Sequence, residues 1–209
     1  MIFAIFAKII HSGDARRTGG PVGSAFLNDS GVAMRKIVLT FGLIAGAILS
    51  VMMLITQVFL DHIGFDKGEI IGYTTMVLAF LMVFFGVRSY RDNVAGGSVT
   101  FGRAFMVGLL ITVVASLCYV ATWEVIYYKI SPDFGDKYAA HIVEEAKAAG
   151  ATDAEVAAKT KQMSEFKEMY KNPLINVGFT LLEPLPVGIL LTLVTAGVLS
   201  RKRRTERAA

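Results

Sequence analysis

The sequence predicts an all-α protein: a four-helix transmembrane bundle with a helical hairpin in the long connector between spans 3 and 4. Composition and the placement of apolar residues predict this class. The 209 residues are 54% hydrophobic and 18% charged, whereas soluble domains average about 45–50% apolar and about 25% charged residues. The excess lies in four runs that match the roughly 20 helical residues needed to cross a bilayer core about 30 Å thick.

Each run is continuously apolar and lacks the alternation that is typical of membrane β-strands, so helices are predicted. The spans are predicted at Ile37–Leu60, Ile70–Val87, Ala104–Tyr128 and Leu174–Leu199. The first two contain no charged residue, the third contains only Glu124, and the fourth contains only Glu183. The long connector is the outer segment 129–173.

Charge in the connectors predicts the orientation. The net charge, with histidine neutral, is +3 for residues 1–36, −2 for 61–69, +2 for 88–103, −1 for 129–173 and +4 for 200–209. Lysine and arginine near span ends mark the cytoplasmic side. We therefore expect a multi-pass protein of the bacterial cytoplasmic (inner) membrane, with both termini in the cytoplasm and the outer segment on the other side.

The N-terminal residues 1–33 do not fit the four-span pattern. Met1–Ile10 is apolar but too short to span, and residues 12–33 are rich in small polar residues. We expect the true start at Met34, where two basic residues precede the first span. A disordered extension and an interfacial anchor are the alternatives. The membrane domain is predicted over 34–204, followed by a cytoplasmic tail end at 205–209.

Small residues recur every fourth position on three spans, which places them on one face of each helix. They are Gly42, Gly46 and Ser50, then Gly108, Thr112 and Ser116, then Gly188, Thr192 and Ala196. Such faces let helix backbones approach closely. They predict a compact bundle, and they could also contact another membrane protein or a second copy of this chain.

A polar pocket is predicted around Glu183. This carboxylate lies about 13.5 Å into the fourth span at 1.5 Å per residue, which is near the membrane midplane. Asn176 and Thr180 share its helix face. Pro184 and Pro186 follow at once, and proline removes a backbone donor, so a helix break is predicted there. Broken helices beside buried carboxylates recur in transporter sites.

The other spans place polar residues in the same outer half, namely Glu124, Gln57 and Tyr73. We therefore expect one pocket that opens outward, with Glu183 at its floor. Three interpretations remain open. The carboxylates form hydrogen bonds that hold the bundle together, they bind a small ligand, proton or cation, or they contact another membrane subunit.

The loop between spans 2 and 3 carries Arg88, Arg91 and Arg103. We expect these residues to fix the topology, and contact with lipid phosphates is the alternative. Gly96-Gly97 predicts a tight turn, and Thr100 is a candidate N-cap for the helix that follows.

The outer segment predicts two amphipathic helices. Asp133 is a candidate cap for the first helix, whose apolar stripe contains Phe134, Tyr138 and Ile142, and Gly150 is expected to end it. Thr152 and Glu155 have the spacing of a capping box that opens the second helix. Its stripe contains Val156, Met163, Phe166 and Tyr170. We expect this hairpin to pack on the outer surface, with a lid over the pocket as the alternative.

Several classes of protein are disfavoured. Cys118 is the single cysteine and lies in an apolar run, so a disulfide scaffold is excluded. Basic residues stand beside the spans, where topology explains them, so no nucleic-acid partner is expected. Metalloprotease, nucleophile-elbow, phosphate-loop and dinucleotide motifs do not occur, so we expect no enzyme, no cofactor and no metal site.

Several short motifs together resemble one family. They are Tyr73-Thr-Thr-Met76, Arg88-Ser-Tyr-Arg-Asp92, Gly96-Gly97, Thr100-Phe-Gly102 and Glu183-Pro-Leu-Pro-Val-Gly188. The chain resembles, from about Met34 to Arg204, the bacterial membrane proteins grouped as domain of unknown function 4199. The resemblance implies four spans with a long third connector and a start near Met34. It implies no catalytic residues.

These observations predict a non-enzymatic membrane protein whose other contacts are the lipid bilayer and, through the small-residue faces, another membrane protein or itself. We expect a structural or partner-binding component of the cell envelope. The alternative is a small transporter or a ligand or ion sensor built around Glu183. Because the polar groups lie mostly in one half of the bundle, a sensor or partner-binding role is favoured over transport.

Overall fold

The computed structural model describes residues 21–200, with side chains from Gly31 onward. In that part of the chain every regular element is a helix, so the predicted all-α class is confirmed. The elements are α1 (Pro21–Ile63), α2 (Phe65–Asn93), α3 (Phe101–Val125), a π-helical turn (Ile126–Ile130), α4 (Phe134–Ala148), α5 (Asp153–Tyr170), α6 (Pro173–Leu182) and α7 (Pro184–Leu199). The alternatives for the first twenty residues and the tail end at 205–209 lie outside the described residues.

Four stretches are long and apolar enough to cross a membrane, so a multi-pass membrane protein is indicated as predicted. They are Gly31–Ile63, Phe65–Asn93, Phe101–Ile130 and Pro173–Leu199. The first three stretches are longer than their apolar runs because the helix continues into flanking polar residues, and the fourth is extended only by Pro173. The fourth stretch consists of α6 and α7, which meet at Glu183. Packing is described below for the compact unit that begins at Met34.

Helix α3 is the most enclosed of the spans and packs against both α2 and α7, which also pack against each other. Phe80 on α2 and Ile111 on α3 are fully buried at their meeting point, together with Met76 and Val83. Many large apolar side chains of the same helices are exposed, such as Phe85 at 46%. This division gives each span one protein-facing and one outward face, which is the pattern expected of a bundle surrounded by lipid.

The small-residue face of α1 packs against α3. A Cβ atom at Gly42 would lie 2.7 Å from the Cβ of Val114, and one at Gly46 would lie 2.6 Å from the Cβ of Cys118. One turn further on, the Thr122 hydroxyl donates to Ser50 Oγ at 2.7 Å. The absence of side chains at the two glycines therefore permits the close approach of α1 and α3.

The small-residue faces of α3 and α7 interlock. Thr192 occupies the space beside Gly108, where a Cβ would lie 2.8 Å from its methyl carbon. Thr112 occupies the space beside Gly188 in the same way. The two threonine hydroxyls lie 3.2 Å apart and are buried. Each glycine thus accommodates a threonine of the other helix. The predicted small-residue positions on α3 and α7 therefore pack against each other within this chain.

Predicted turns and caps are largely present. Thr100 Oγ1 accepts from the Arg103 amide at 3.5 Å at the start of α3, and Thr152 and Glu155 form the predicted capping box. Gly96 and Gly97 adopt positive φ angles of 67° and 86° in the turn before α3. Such angles favour glycine because it has no Cβ.

One predicted cap is wrong. Helix α4 begins directly after Asp133, but the Asp133 side chain makes no capping hydrogen bond. Its carboxylate instead lies 3.2 Å from the Lys137 ammonium, one turn along the helix. The ammonium group competes with the helix amides for the same carboxylate. The expected end of α4 is observed, with Ala148 as its last residue and Gly150 at φ 84°.

Candidate functional site

A cavity of about 500 Å³ lies at the end of the bundle that carries α4 and α5. We call this pair of helices the hairpin. The cavity is lined by residues from all four spans and from both hairpin helices. Its volume falls in the range of about 300–1,000 Å³ that is typical of small-molecule sites. It therefore meets the size requirement for a ligand site.

Glu183 lines this cavity from the junction of α6 and α7. Pro184 and Pro186 follow it, and α7 begins at Pro184, so the predicted helix break is observed. Proline has no amide hydrogen to donate to the preceding turn, which explains why the helix is interrupted here. The Tyr119 hydroxyl donates a 2.7 Å hydrogen bond to Glu183 Oε2. Glu183 is an exposed residue, so its carboxylate remains open to a further partner.

Tyr119 is a site residue that the sequence reasoning missed. It lies in the C-terminal half of α3, within an uncharged and mainly apolar run. Tyr119, Trp123 and Tyr127 are spaced four residues apart and all three line the cavity. Helical residues at this spacing share one face. That spacing of aromatic residues was the signal that could have identified this face of α3.

A chain of hydrogen bonds connects α3, α5 and α6 beside the cavity. Trp123 Nε1 donates to Tyr170 Oη at 3.0 Å, and that hydroxyl lies 3.2 Å from Thr180 Oγ1. Thr180 in turn donates to the Asn176 carbonyl oxygen at 2.9 Å. Burial raises the pKa of Tyr170 above its ordinary value. Its phenol therefore stays neutral at physiological pH and acts here as donor and acceptor.

The structure brings together four of the six residues proposed for the pocket. Glu183, Thr180, Gln57 and Tyr73 line the cavity, and Gln57 also donates to Ser131 Oγ at 3.0 Å. Asn176 is fully buried behind Thr180 and does not reach the cavity surface.

Glu124 does not line the cavity either. It follows Trp123 directly, and successive residues of an α-helix point about 100° apart at 3.6 residues per turn. Because Trp123 faces the cavity, Glu124 is directed to another side of α3. The assignment of Glu124 to the pocket is therefore corrected.

Aromatic rings form a continuous series around the cavity, which we call the aromatic chain. Its members are Phe65, Trp123, Tyr127, Phe134, Tyr138, Phe166, Tyr170 and Phe179. Neighbouring ring centroids are 4.9 Å apart for Trp123 and Phe134, and 5.4 Å apart for Tyr127 and Tyr170. Most pairs are edge-to-face, which is a favourable geometry for aromatic rings. The chain joins the second span, the hairpin and α6.

The charged residues on the cavity wall are mainly acidic. In the described part of the chain, the lining carboxylates are Asp66, Glu69, Glu145 and Glu183. The lysine among the lining residues is Lys167, and its ammonium is already hydrogen-bonded to Asp136. That contact raises the pKa of Lys167 and keeps it charged. The cavity is therefore an environment that favours positive charge.

The hairpin partly covers the cavity. The predicted stripe residues Phe134, Tyr138 and Ile142 of α4, and Met163, Phe166 and Tyr170 of α5, line its wall. The structure thus favours the lid alternative over a hairpin that only rests on the outer surface. The reason is that the apolar stripes find their partners in the rings of Trp123, Tyr127 and Phe179.

Two polar contacts also join the hairpin to the first and second spans. Lys137 lies 3.4 Å from Asp61, and His141 lies 3.1 Å from Asp66. Pairs of this kind on a protein surface typically contribute about 0–1 kcal/mol. The attachment of the hairpin to the spans therefore depends mainly on the aromatic chain.

The three candidate lipid-contacting arginines lie at the opposite end of the bundle, around the turn between α2 and α3. Arg91 Nε donates to Asp92 at 2.7 Å, and Arg88 lies 3.6 Å from the same carboxylate. Arg103 lies in the first turn of α3. These residues take no part in the cavity.

Replacing Tyr170 with phenylalanine is expected to loosen the hairpin. The change leaves the Trp123 indole N–H without its acceptor but keeps the ring in the aromatic chain. Leaving a fully buried donor unsatisfied costs about 1–3 kcal/mol, and because this hydrogen bond is only partly buried we expect a loss of about 1 kcal/mol. Trp123 is the single tryptophan, so its indole gives one cross-peak in an amide NMR spectrum.

We expect that peak to move upfield in Tyr170→Phe and the melting temperature to fall. Tyr128→Phe, which alters a ring that is 42% exposed, serves as the control and should leave both values unchanged. An unchanged indole peak in Tyr170→Phe would contradict the hydrogen bond.

Comparison with known proteins gives the family and nothing more specific. Neither a curated protein nor a solved structure matches the chain. The family model described as "Protein of unknown function (DUF4199)" matches residues 40–201. That range includes most of the first span, the whole of the other three spans, the hairpin and every residue that lines the cavity. The chain therefore belongs to the DUF4199 family, as its motifs indicated.

Proposed function

We propose that this chain is a non-enzymatic receptor of the bacterial inner membrane that binds a small molecule in the cavity beneath the hairpin. The observation that carries the proposal is the cavity itself: it is about 500 Å³ in volume, and apolar, aromatic and polar groups converge on it. Sites with this mixture of a largely apolar wall and a few placed polar groups are typical of ligand binding. In the proposed orientation both termini are cytoplasmic and the cavity opens outward.

The cavity favours ligand binding over a purely structural role. A carboxylate near the middle of a membrane is costly unless it has partners. Among the described residues Glu183 has one hydrogen-bond donor, Tyr119, and it is otherwise exposed on the cavity wall. A group whose only purpose was to hold helices together would be expected to direct more of its hydrogen-bonding capacity toward them.

Close packing on the other side of Glu183 favours a receptor over a transporter. Transport requires the site to open toward both sides of the membrane. Between Glu183 and the loop between α2 and α3, helices α3 and α7 interlock through Gly108, Thr112, Gly188 and Thr192, which are all buried. We propose that binding is communicated through the hairpin, to another membrane protein or to a second copy of this chain.

Filling the cavity tests the proposal. Gly72 lines the cavity, and a Cβ there meets nothing within 4 Å, so Gly72→Phe would place a ring in open space. Gly178 also has open space around its Cβ but does not line the cavity, which makes Gly178→Phe the matched control. Both variants and the wild type would be placed in lipid nanodiscs. Each would be titrated with a library of small water-soluble compounds while Trp123 emission is recorded.

We expect some compounds to change the emission of the wild type and of Gly178→Phe in a saturable way, and to have no effect on Gly72→Phe. The proposal fails if no compound has a saturable effect. It also fails if the effects persist in the variant with the filled cavity.

A further inference from the structure

The cavity wall has features that indicate which class of ligand it accepts. We propose that the ligand is an organic cation, an ammonium group carrying an apolar substituent, with its positive charge near Glu183 and its apolar part against the aromatic chain. This inference rests on the proposed function and specifies its ligand. It is carried by the placement of carboxylates and aromatic rings around one cavity.

The carboxylates on the cavity wall determine the sign of the charge on the ligand. Glu183 lies at the junction of α6 and α7, and Glu69 lines the cavity from α2. Both residues are exposed on the cavity wall, so each carboxylate can attract an opposite charge there. Lys167 does not neutralise the charge of Glu183, because its ammonium is hydrogen-bonded to Asp136. A cationic ligand supplies the missing positive charge, whereas an anion would add repulsion.

Aromatic rings determine that the cation is organic. The face of an aromatic ring attracts an ammonium group within about 6 Å, and the attraction strengthens when water is excluded. Tyr73, Tyr119, Trp123 and Tyr127 come from two spans and line the same cavity as Glu183. Methylated and alkylated ammonium groups are the cations that such walls recognise, because their charge is spread over an apolar surface.

A bare metal ion is a poorer fit. Metal ions need several oxygen, nitrogen or sulfur ligands at about 2.0–2.6 Å, depending on the ion. Within the described residues no three His, Cys, Asp or Glu side chains are grouped closely enough to hold one. Much of the cavity surface is instead apolar, including Leu49, Met52 and Met53. This surface suits the substituent of an organic cation.

Three probes that differ in charge test the inference: benzyltrimethylammonium, neutral 2-phenylethanol and anionic phenylacetate. The full chain would be reconstituted in nanodiscs, and empty nanodiscs would correct for partition into lipid. Trp123 reports binding, because it is the single tryptophan and lines the cavity. We expect saturable changes in emission with the cation at concentrations about tenfold lower than with 2-phenylethanol, and none with phenylacetate.

Carboxylate-to-amide variants show whether binding depends on the charge of the cavity wall or on its shape. Glu183→Gln keeps the size of the side chain and an acceptor for the Tyr119 hydroxyl, so it should weaken cation binding by about tenfold or more and leave 2-phenylethanol within about twofold. Glu124→Gln removes a carboxylate that does not line the cavity and should change neither value. Glu69→Gln, at an exposed position that tolerates change, gives a second test should Glu183→Gln fold poorly.

The outcomes distinguish the two proposals. If the cation and 2-phenylethanol bind equally well, and neither Glu183→Gln nor Glu69→Gln affects the cation, the inference is wrong and a cavity that selects by shape remains. If none of the three probes changes Trp123 emission while other library compounds do, the inference is again wrong and the proposed function stands. If the library also gives no saturable binder, both fail.

Discussion

Gly188→Leu is expected to be one of the two most destabilising single changes considered for this protein. A side chain at Gly188 would overlap the Thr112 methyl group, and its Cβ would lie 3.1 Å from Phe80 Cζ. Both neighbours are fully buried and have nowhere to move. Overpacking a well-packed core typically costs about 1–3 kcal/mol and occasionally more. Because two helices must separate here, we expect at least about 3 kcal/mol.

Gly197→Leu is the matched control, since Gly197 lies on the same helix and has open space around its Cβ. Unfolding of both variants would be followed by Trp123 emission during titration with sodium dodecyl sulfate, with helical circular dichroism as a second readout. Gly188→Leu should unfold at a much lower detergent fraction than the wild type, and Gly197→Leu close to it. Equal stabilities for the two variants would show that α7 does not pack through Gly188.

Phe80→Ala is expected to have an effect of similar size. Phe80 is the largest side chain that is fully buried in the described part of the chain, and it lies where α2 meets α3 and α7. Its removal leaves a void inside the bundle. Truncation of a buried phenylalanine typically costs about 3–5 kcal/mol through lost contacts and an unfilled cavity. In a membrane the lost van der Waals contacts are the main component, because lipid is already apolar.

Phe85→Ala provides the comparison within the same helix, because Phe85 is 46% exposed. The same detergent titration should show a large loss of stability for Phe80→Ala and little change for Phe85→Ala. The reverse order would mean that α2 is rotated so that its outward face points into the bundle.

The spans could be predicted because they depend on local properties alone. Length and lack of charge are sufficient to identify Ile37–Leu60, whatever its neighbours are. The same holds for the break at Glu183, since the two prolines disrupt any helix, and for the capping box at Thr152. Each of these features depends on residues that are close in sequence, so the amino-acid sequence determines it directly.

The cavity wall could be predicted only in part, because it depends on how the helices are rotated. The sequence identified Glu183, Thr180, Gln57 and Tyr73 by their polarity within apolar runs. It assigned Glu124 to the pocket for the same reason, although polarity carries no information on direction. Tyr119 went unnoticed since an aromatic ring in a span resembles ordinary packing.

The aromatic chain could not be predicted from the sequence. It joins residues as distant as Phe65 and Phe179, and no local pattern records that separation. The lid likewise follows from tertiary contacts. The stripes of α4 and α5 showed that the hairpin had an apolar face, but the sequence could not show which surface that face would meet.

The interlocking of α3 and α7 also limits how this protein can move. If α7 slid along α3 by one turn, Thr192 would take the place of Gly188. The Thr192 side chain would then lie against Thr112, and two threonine methyl groups would occupy the space that Gly188 now leaves for one. The register of the two helices is therefore fixed, and this half of the molecule behaves as a rigid base. Any response to a bound molecule must arise above it, in α6 and the hairpin, which are joined by only Lys171 and Asn172.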